Sequence, residues 1–338
     1  MFVRESFGEK MSENRKRKKP IDKKIGKLEN KDVALDMSRR ILAYEMMLSA
    51  KEVPHVCYIY EPEISAFWAY FKDFKARHGL SISFNTLMLK AITECMKVSP
   101  VLNSHLLYNF RSAKGTLRTF EKIDVNMPTI LPSGEMQALT IRDAAAGGLL
   151  DLDRKIKDLL EKAEDEIAFG KAQYDLGIEQ TIGFLKKGKI ITVLSRLFGA
   201  YFGKERLQTC GCNNQLAFVK MARKHLKTVD KSKVISKDDI REGTVIVSNV
   251  GSLKKDLKGE TAYFEILPPQ IFAVMIGNVQ RKPVVTTDAE GKENVSVGTV
   301  LPITLAFDHR ACDFDALIPF INKFDEIFAT PSVMEEWL

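Results

Sequence analysis

The apolar run Pro302–Phe307 ends abruptly in Asp308-His309-Arg310-Ala311-Cys312-Asp313. The run predicts a strand, and the charged residues after it mark where the chain leaves the core. Nowhere else do a histidine, a carboxylate and an apolar strand end come so close together. A histidine at the mouth of a sheet can stay neutral near pH 7 and take a proton from a thiol or hydroxyl. The fold therefore has to bring a strand end to a place where chemistry is done.

At 338 residues the chain can form one large domain or two ordinary ones. No apolar run is long enough to cross a bilayer. Met1–Glu9 carries charges where an export signal needs an apolar core. Cys57, Cys95, Cys210, Cys212 and Cys312 are odd in number and scattered, which fits reduced thiols in the cytoplasm. Cys210-Gly211-Cys212 lacks both the spacing and the second pair of a zinc site, so no metal is expected. The formal net charge of +7 is unevenly spread. Lys10–Lys27, which includes Arg15-Lys16-Arg17-Lys18-Lys19, predicts a solvated, disordered arm over residues 1–31. Such a tract can meet nucleic acid or an anionic membrane. It has no interleaved aromatics to stack bases, and neither contact is expected of it.

Apolar residues at helical spacing predict helices over Met37–Met47, Glu63–His78, Phe84–Lys97, Leu149–Ile167 and Phe314–Phe328. Gly79 stops the second, and Ser83 stands as the N-cap of the third. Pro319 lies inside the last, whose regular turns start only there. Strands are predicted over Val53–Tyr60, Leu106–Phe110, Leu117–Asn126, Met136–Arg142, Thr244–Ser248, Ile271–Ile276 and Leu301–Phe307. Turns are placed at Lys114-Gly115 and at Pro132-Ser133-Gly134. Residues 168–238 break this rhythm. Within them Ile190–Phe202 is apolar and aromatic, flanked by Lys186, Lys187, Lys189 and Lys204. It reads as a helical insertion packed on the domain or on a partner, since a membrane-surface helix needs a richer polar face. Helices and strands mix without strict alternation. That predicts a two-layer α/β sandwich with a mixed sheet and helices packed on it, in a domain running from 32 to 338.

Separated segments then agree on one family. Phe307-Asp308-His309-Arg310-Ala311-Cys312-Asp313 resembles the Asp-His-Arg-x-x-Asp-Gly motif of the dihydrolipoamide acyltransferases of 2-oxoacid dehydrogenase complexes. Thr244-Val245-Ile246-Val247-Ser248-Asn249-Val250-Gly251 looks like the family's Thr-x-x-Ile-Ser-Asn-Leu-Gly strand, and Ile266-Leu267-Pro268-Pro269-Gln270 like its Asn-Pro-Pro-Gln strand. Val53-Pro54-His55-Val56, Ser83-Phe84-Asn85 and Ile141-Arg142-Asp143-Ala144 fit as well. The resemblance spans most of 33–168 and 236–330. It implies the fold shared with chloramphenicol acetyltransferase, which has a similar His-x-x-x-Asp motif. The chain departs from the family in three places. It starts almost at the catalytic-like region, so a stand-alone form without a lipoyl domain is expected. It carries the insertion at about 168–238, and it has Phe314 where the family has glycine.

What the resemblance implies is acyl transfer between coenzyme A and a thiol, hydroxyl or amine acceptor. His309 would be the general base, Ser248 would hydrogen-bond the oxyanion, and Asp313 would orient the loop through a buried ion pair with Arg39 or Arg40 or cap the following helix. Asn249, Gly251 and Phe314 would line the substrate. Coenzyme A or acyl-CoA would be a substrate rather than a resident cofactor, and any lipoyl group would sit on a separate lipoyl or acyl carrier protein. The family forms homotrimers, with histidine and serine supplied by neighbouring subunits, and trimers can build cubic cores. Arg310 is expected in a structural ion pair, Asp308 in fixing loop geometry, and His55 in core or lining. The alternative is a catalytically inactive, core-forming scaffold, suggested by Phe314 and the insertion.

Overall fold

The computed structural model describes residues 35, 37–130, 136–186, 188–201, 215–254, 257–287 and 290–338. The basic arm, the Pro132-Ser133-Gly134 turn and the Cys210–Cys212 pair lie outside them. In chain order the elements are α1 (Met37–Glu52), β1 (His55–Tyr60), α2 (Ser65–Arg77), α3 (Phe84–Val98), β2 (Ser104–Asn109), β3 (Lys114–Thr119), β4 (Val125–Ile130) and β5 (Met136–Ile141). Then follow α4 (Leu149–Lys162), α5 (Glu166–Lys186), α6 (Ile190–Tyr201), α7 (Gln215–His225), β6 (Val245–Asn249), β7 (Phe272–Ile276), β8 (Gln280–Thr287), β9 (Glu293–Val300), β10 (Ile303–Asp308), α8 (Ile318–Ala329) and α9 (Val333–Glu336).

Six strands form one mixed sheet in the order β1-β10-β7-β6-β4-β5. β10 is antiparallel to both β1 and β7, whereas β6 is parallel to β7 and to β4. Every residue of β7 and β10 is buried. Their continuous apolar sequence follows from this, because both faces of the two strands are covered. On one face Phe272 meets Phe320 edge-on at 5.1 Å, and Tyr60 stacks on Phe324 at 6.0 Å, so α8 lies along the sheet. On the other face Ile246, Ala273, Met275 and Ala306 pack with Val53, Phe264 and Ile266. This is the mixed sheet with packed helices that the sequence predicts.

Local chemistry sets the element ends. Ser83 accepts from the Thr86 amide at 3.0 Å and caps α3. Residues 314–317 form a 3-10 turn and α8 starts at Ile318, with Pro319 in its first turn, where a missing amide costs nothing. Two predicted elements split. Leu117–Asn126 is not one strand, because the Asn103 amide donates to Phe120 O (2.8 Å) and Lys122 O (3.0 Å) and holds a bend between β3 and β4. Leu149–Ile167 is not one helix, because the Asp165 carboxylate accepts from the amides of Ile167 (3.1 Å) and Ala168 (3.0 Å) and starts α5 afresh. Lys114-Gly115 lies inside β3; the turn sits before it, with Ala113 at φ 50°. The hairpin β8–β9 was not predicted. Val285, Val295 and Val297 are exposed on it, so it carries no buried face to give the alternating signal.

The chain divides into two compact units. One holds Tyr44–Pro128, Thr140–Asp158 and Glu242–Leu338; the other holds Thr129–Leu139 and Leu159–Arg241 with the described residues before Tyr44. Within the second, α5 and α7 share a small core of Phe218, Val219 and Ala222 with Ile167 and Tyr174.

Gly251 tests how tightly β6 is seated. A Cβ there would stand 2.3 Å from the Gly277 carbonyl oxygen, a backbone atom with no room to swing aside. Gly251→Ala should lower stability by about 1–3 kcal/mol, read as a lower urea midpoint at unchanged slope; an unchanged midpoint contradicts the packing.

Candidate active site

β10 ends in a loop held on three sides. The Asp308 amide donates to Ile271 O at 2.9 Å, and the His309 amide donates to Pro54 O at 3.1 Å. The Asp308 carboxylate, 1% exposed, accepts from Arg310 three times: the backbone amide at 3.0 Å, Nε at 3.0 Å and Nη2 at 2.7 Å. Its carbonyl accepts from the amides of Ala311 (2.9 Å) and Cys312 (3.4 Å). Asp308 thus fixes the loop and Arg310 is its ion-pair partner, as expected. The guanidinium also lies over the Tyr108 ring, 5.7 Å from its centre.

That frame orients His309. Its Nδ1 lies 3.3 Å from Cys312 O and 3.1 Å from Asp313 Oδ1. Both are acceptors, so Nδ1 carries a proton, and Nε2 makes no hydrogen bond to a described residue. The ring leans edge-on against Phe307 at 5.8 Å, and the side chain is 52% exposed. Nε2 is therefore the ring nitrogen left open.

Asp313 does not play its expected part. Its side chain is 78% exposed and turned to His309, so the buried ion pair expected of it with Arg39 or Arg40 does not fit its exposure. Arg40 donates instead to Leu35 O (3.0 Å) and Gly199 O (3.3 Å). The buried pair exists, but Asp308 and Arg310 make it. Asp313 also occupies the N-cap position of the 314–317 turn without a side-chain cap bond; only its carbonyl takes the Ala316 amide, at 3.2 Å.

Ser248 lies near the end of β6, half-buried, and makes no hydrogen bond through its hydroxyl to a described residue. The two residues after it shape the turn. The Asn249 side-chain amide donates to Asn85 Oδ1 at 3.1 Å, and its oxygen accepts from the Ser252 amide at 3.1 Å. Gly251 permits the close backbone approach described above. β6 is tied down at its start by Gly243, whose carbonyl accepts from Gln270 Nε2 and from His105 Nε2, both at 2.9 Å. This gives the Pro268-Pro269-Gln270 segment a structural role: it holds the serine strand in place.

His309 and Ser248 do not meet within the chain. β6 and β10 run in opposite directions, so the two residues lie toward opposite ends of the sheet. Ser248 is level with Met275, and Met275 with Thr304, five positions before His309. At about 3.3 Å per residue, and with β7 between them, the gap is on the order of 15 Å or more.

Phe314 packs edge-on against Tyr58 at 5.2 Å and lies 6.4 Å from Phe307. It makes an aromatic wall beside the histidine loop where glycine would leave space. The Cys312 thiol is pushed up to about 11, first by burial and then by Asp308, Asp313 and Asp315. It stays protonated at neutral pH and is no nucleophile.

The sequence reading did not find the polar cluster around His55. His55 Nε2 accepts from the Ile266 amide at 3.0 Å, and Nδ1 lies 3.1 Å from the Tyr263 hydroxyl. Ser49 Oγ, 3.1 Å from Nε2, donates to Ile266 O at 2.7 Å. Burial holds the ring below its ordinary 6.5, as it does for His105. His55 pairs with Asp308 in the sheet register, so this cluster braces the strand next to the loop. No sequence signal marks it, because its members come from two distant segments, 49–55 and 263–266.

A sequence model of one family, described as 2-oxoacid dehydrogenases acyltransferase (catalytic domain), matches residues 27–169 and 212–335. The chain is similar to the dihydrolipoyllysine-residue acetyltransferase component of the mitochondrial pyruvate dehydrogenase complex of Saccharomyces cerevisiae. Identity is 22% over 311 residues, which are 90% of this chain and 47% of that protein, so the chain spans about half its relative's length. It is 30% identical over 97 residues to the succinyltransferase component of the 2-oxoglutarate dehydrogenase complex of Escherichia coli, 28% of this chain and 22% of that one. Among solved structures, the dihydrolipoamide acetyltransferase of Azotobacter vinelandii gives a TM-score of 0.59 at 19% identity, covering 94% of this chain and 98% of that chain. A truncated catalytic core of the 2-oxoacid dehydrogenase multienzyme complex from Thermoplasma acidophilum gives 0.53 at 14% identity, covering 89% and 99%. At these identities the likeness is one of fold. Among the described residues no helix is long and apolar enough to cross a membrane.

Two predictions follow from the loop and the bracing cluster. Arg310→Ala strands the Asp308 carboxylate in the sheet and should cost on the order of 3 kcal/mol; chemical denaturation of the variant measures it. His55 and His105 have folded values below 6.5, so the unfolded chain takes up protons first. Their stabilisation is complete above about 6.5 and is lost as pH falls from there through the folded values. The urea midpoint should therefore drop between about pH 7.5 and about pH 5.5, and His55→Gln should flatten that slope.

Proposed function

Since the chain belongs to the 2-oxoacid dehydrogenase acyltransferase family by its catalytic domain, we propose that it moves an acyl group between coenzyme A and a thiol acceptor of the dihydrolipoamide kind. The observation that carries this reading is the His309 geometry, with Nδ1 held by Cys312 O and Asp313 and Nε2 without a hydrogen bond to a described residue. Nε2 takes the proton of the incoming thiol as its sulfur attacks the thioester carbonyl. The carbonyl becomes a tetrahedral oxyanion, which the Ser248 hydroxyl stabilises by a hydrogen bond worth about 3 kcal/mol of barrier. Collapse breaks the bond to the old thiol, and the imidazolium returns its proton to that leaving sulfur. Asp313 holds the ring and offsets its charge while it is protonated. Asn249 and Gly251 position the serine, and Phe314 walls the channel.

Ser248 and His309 lie too far apart to act on one carbonyl, so the site is completed by a second copy of the chain. A homotrimer meets this requirement with three equivalent sites. The solved relatives include the cubic core of a pyruvate dehydrogenase complex, and an assembly of trimers is in keeping with that likeness. The thiols of Cys57, Cys95 and Cys312 are free, which suits a reducing compartment such as the cytoplasm. Residues 168–238, whose middle falls outside the family match, form an insertion in the catalytic domain. A second reading, an inactive core-forming scaffold, is favoured by one observation: the Phe314 ring fills space beside the loop where the family motif has glycine.

Subunit complementation tests both the chemistry and its sharing. His309→Ala should lower acyl-CoA turnover by about 10²–10⁴-fold and Ser248→Ala by about 10²–10³-fold. Unfolding and refolding the two inactive variants together should restore activity, because mixed assemblies contain interfaces with both native residues. No recovery in assembled mixtures would refute a shared site. Wild-type protein without His309-dependent turnover would support the scaffold.

A further inference from the structure

Residues 170–211 lie outside the family match, and within them α5 and α6 present an apolar face to solvent. On α6 the residues Ile190, Ile191, Leu194, Leu197 and Phe198 are exposed, Ile191 to 82% and Phe198 to 66%. Their spacing puts them on one side of the helix. Val193, at the flank of that side, is 4% exposed and anchors α6 inward. On α5 the exposed Ile178, Ile182 and Leu185 repeat at helical spacing. A soluble face of this kind needs a partner that takes up apolar area.

The charge around it selects the partner. Between Glu179 and Glu205 the sequence carries five basic residues, at 186, 187, 189, 196 and 204, and no carboxylate. Arg196 and Lys189 lie over the Phe184 ring, at 4.5 and 5.6 Å from its centre, which holds both cations beside the start of α6. The sequence alone argued against a membrane surface, for want of a polar face on this helix. In the structure Thr192 and Arg196, opposite the apolar face, are half-buried, while Ser195 and Gly199 are exposed. Lys186 at the end of α5 and Lys189 directly before α6 are exposed and adjoin Ile190 and Ile191 in the chain, where lipid headgroups would meet them. At 12 residues α6 is about 18 Å long, too short to cross a hydrocarbon layer of about 30 Å.

We propose that α6 docks this protein on an anionic lipid surface. The helix lies in the plane of the interface, with Ile191, Leu194 and Phe198 among the acyl chains and the flanking cations among the headgroups. Neither the acyl-transfer site nor its assembly enters this argument.

Vesicle flotation of the full chain tests it. The chain should float with phosphatidylcholine vesicles containing about a third phosphatidylglycerol, and much less with phosphatidylcholine alone or in high salt. Ile191→Asp with Phe198→Asp should reduce flotation on the anionic vesicles roughly tenfold while leaving circular dichroism and the thermal midpoint unchanged. The basic arm is present in both proteins, so the difference reports α6 alone. Ile191→Trp should keep binding and shift its added fluorescence to the blue on anionic vesicles. Equal flotation of wild type and the double variant overturns the proposal. So does absent flotation, or an unshifted tryptophan. A change of oligomeric mass in the double variant without lipid binding would assign the face to a second protein instead.

Discussion

Asp308 puts a carboxylate at the end of a wholly buried strand, and the Arg310 side chain two residues on meets it within the same turn. A carboxylate taken out of water without such a partner would be costly, so the pair dictates how the chain leaves the sheet. The main chain then has little freedom, since its amides are committed to Pro54 on one neighbouring side and Ile271 on the other. The orientation of His309 is a consequence of this frame. So is the placing of Cys312 O and Asp313 around its Nδ1.

The serine strand is held by a different device. Gln270 and His105 converge on the Gly243 carbonyl at the start of β6, and Gly251 lets its end approach Gly277. Each strand is rigid for its own reason, and their opposite directions separate the two residues that acyl transfer would use. On the proposed mechanism a single chain therefore carries two half-sites. Rigidity of this kind suits assembly, because a preformed half-site needs no rearrangement to meet its counterpart.

Much of the fold was legible because its core strands are apolar on both faces and its helices have regular apolar spacing. Ser83 and Pro319 announced their helix boundaries by local chemistry, which sequence records. The reading failed where side chains from elsewhere intervene. The bend after β3 depends on Asn103, and the hairpin β8–β9 has no buried face to betray it. Around the loop, the Asp308–Arg310 pair was legible because the two are neighbours in sequence and their roles are local. The roles of Asp313 and of the His55 cluster were not.

The sequence by itself determined the histidine loop, the buried strand that carries it and the family to which its motifs belong, since these rest on residues close together along the chain. Only the tertiary structure decided which aspartate is buried and which faces the imidazole. It alone showed that strand direction keeps Ser248 from His309, and which side of α6 faces water. Those outcomes depend on register, on strand direction and on packing between distant segments, and no local pattern of residues encodes them.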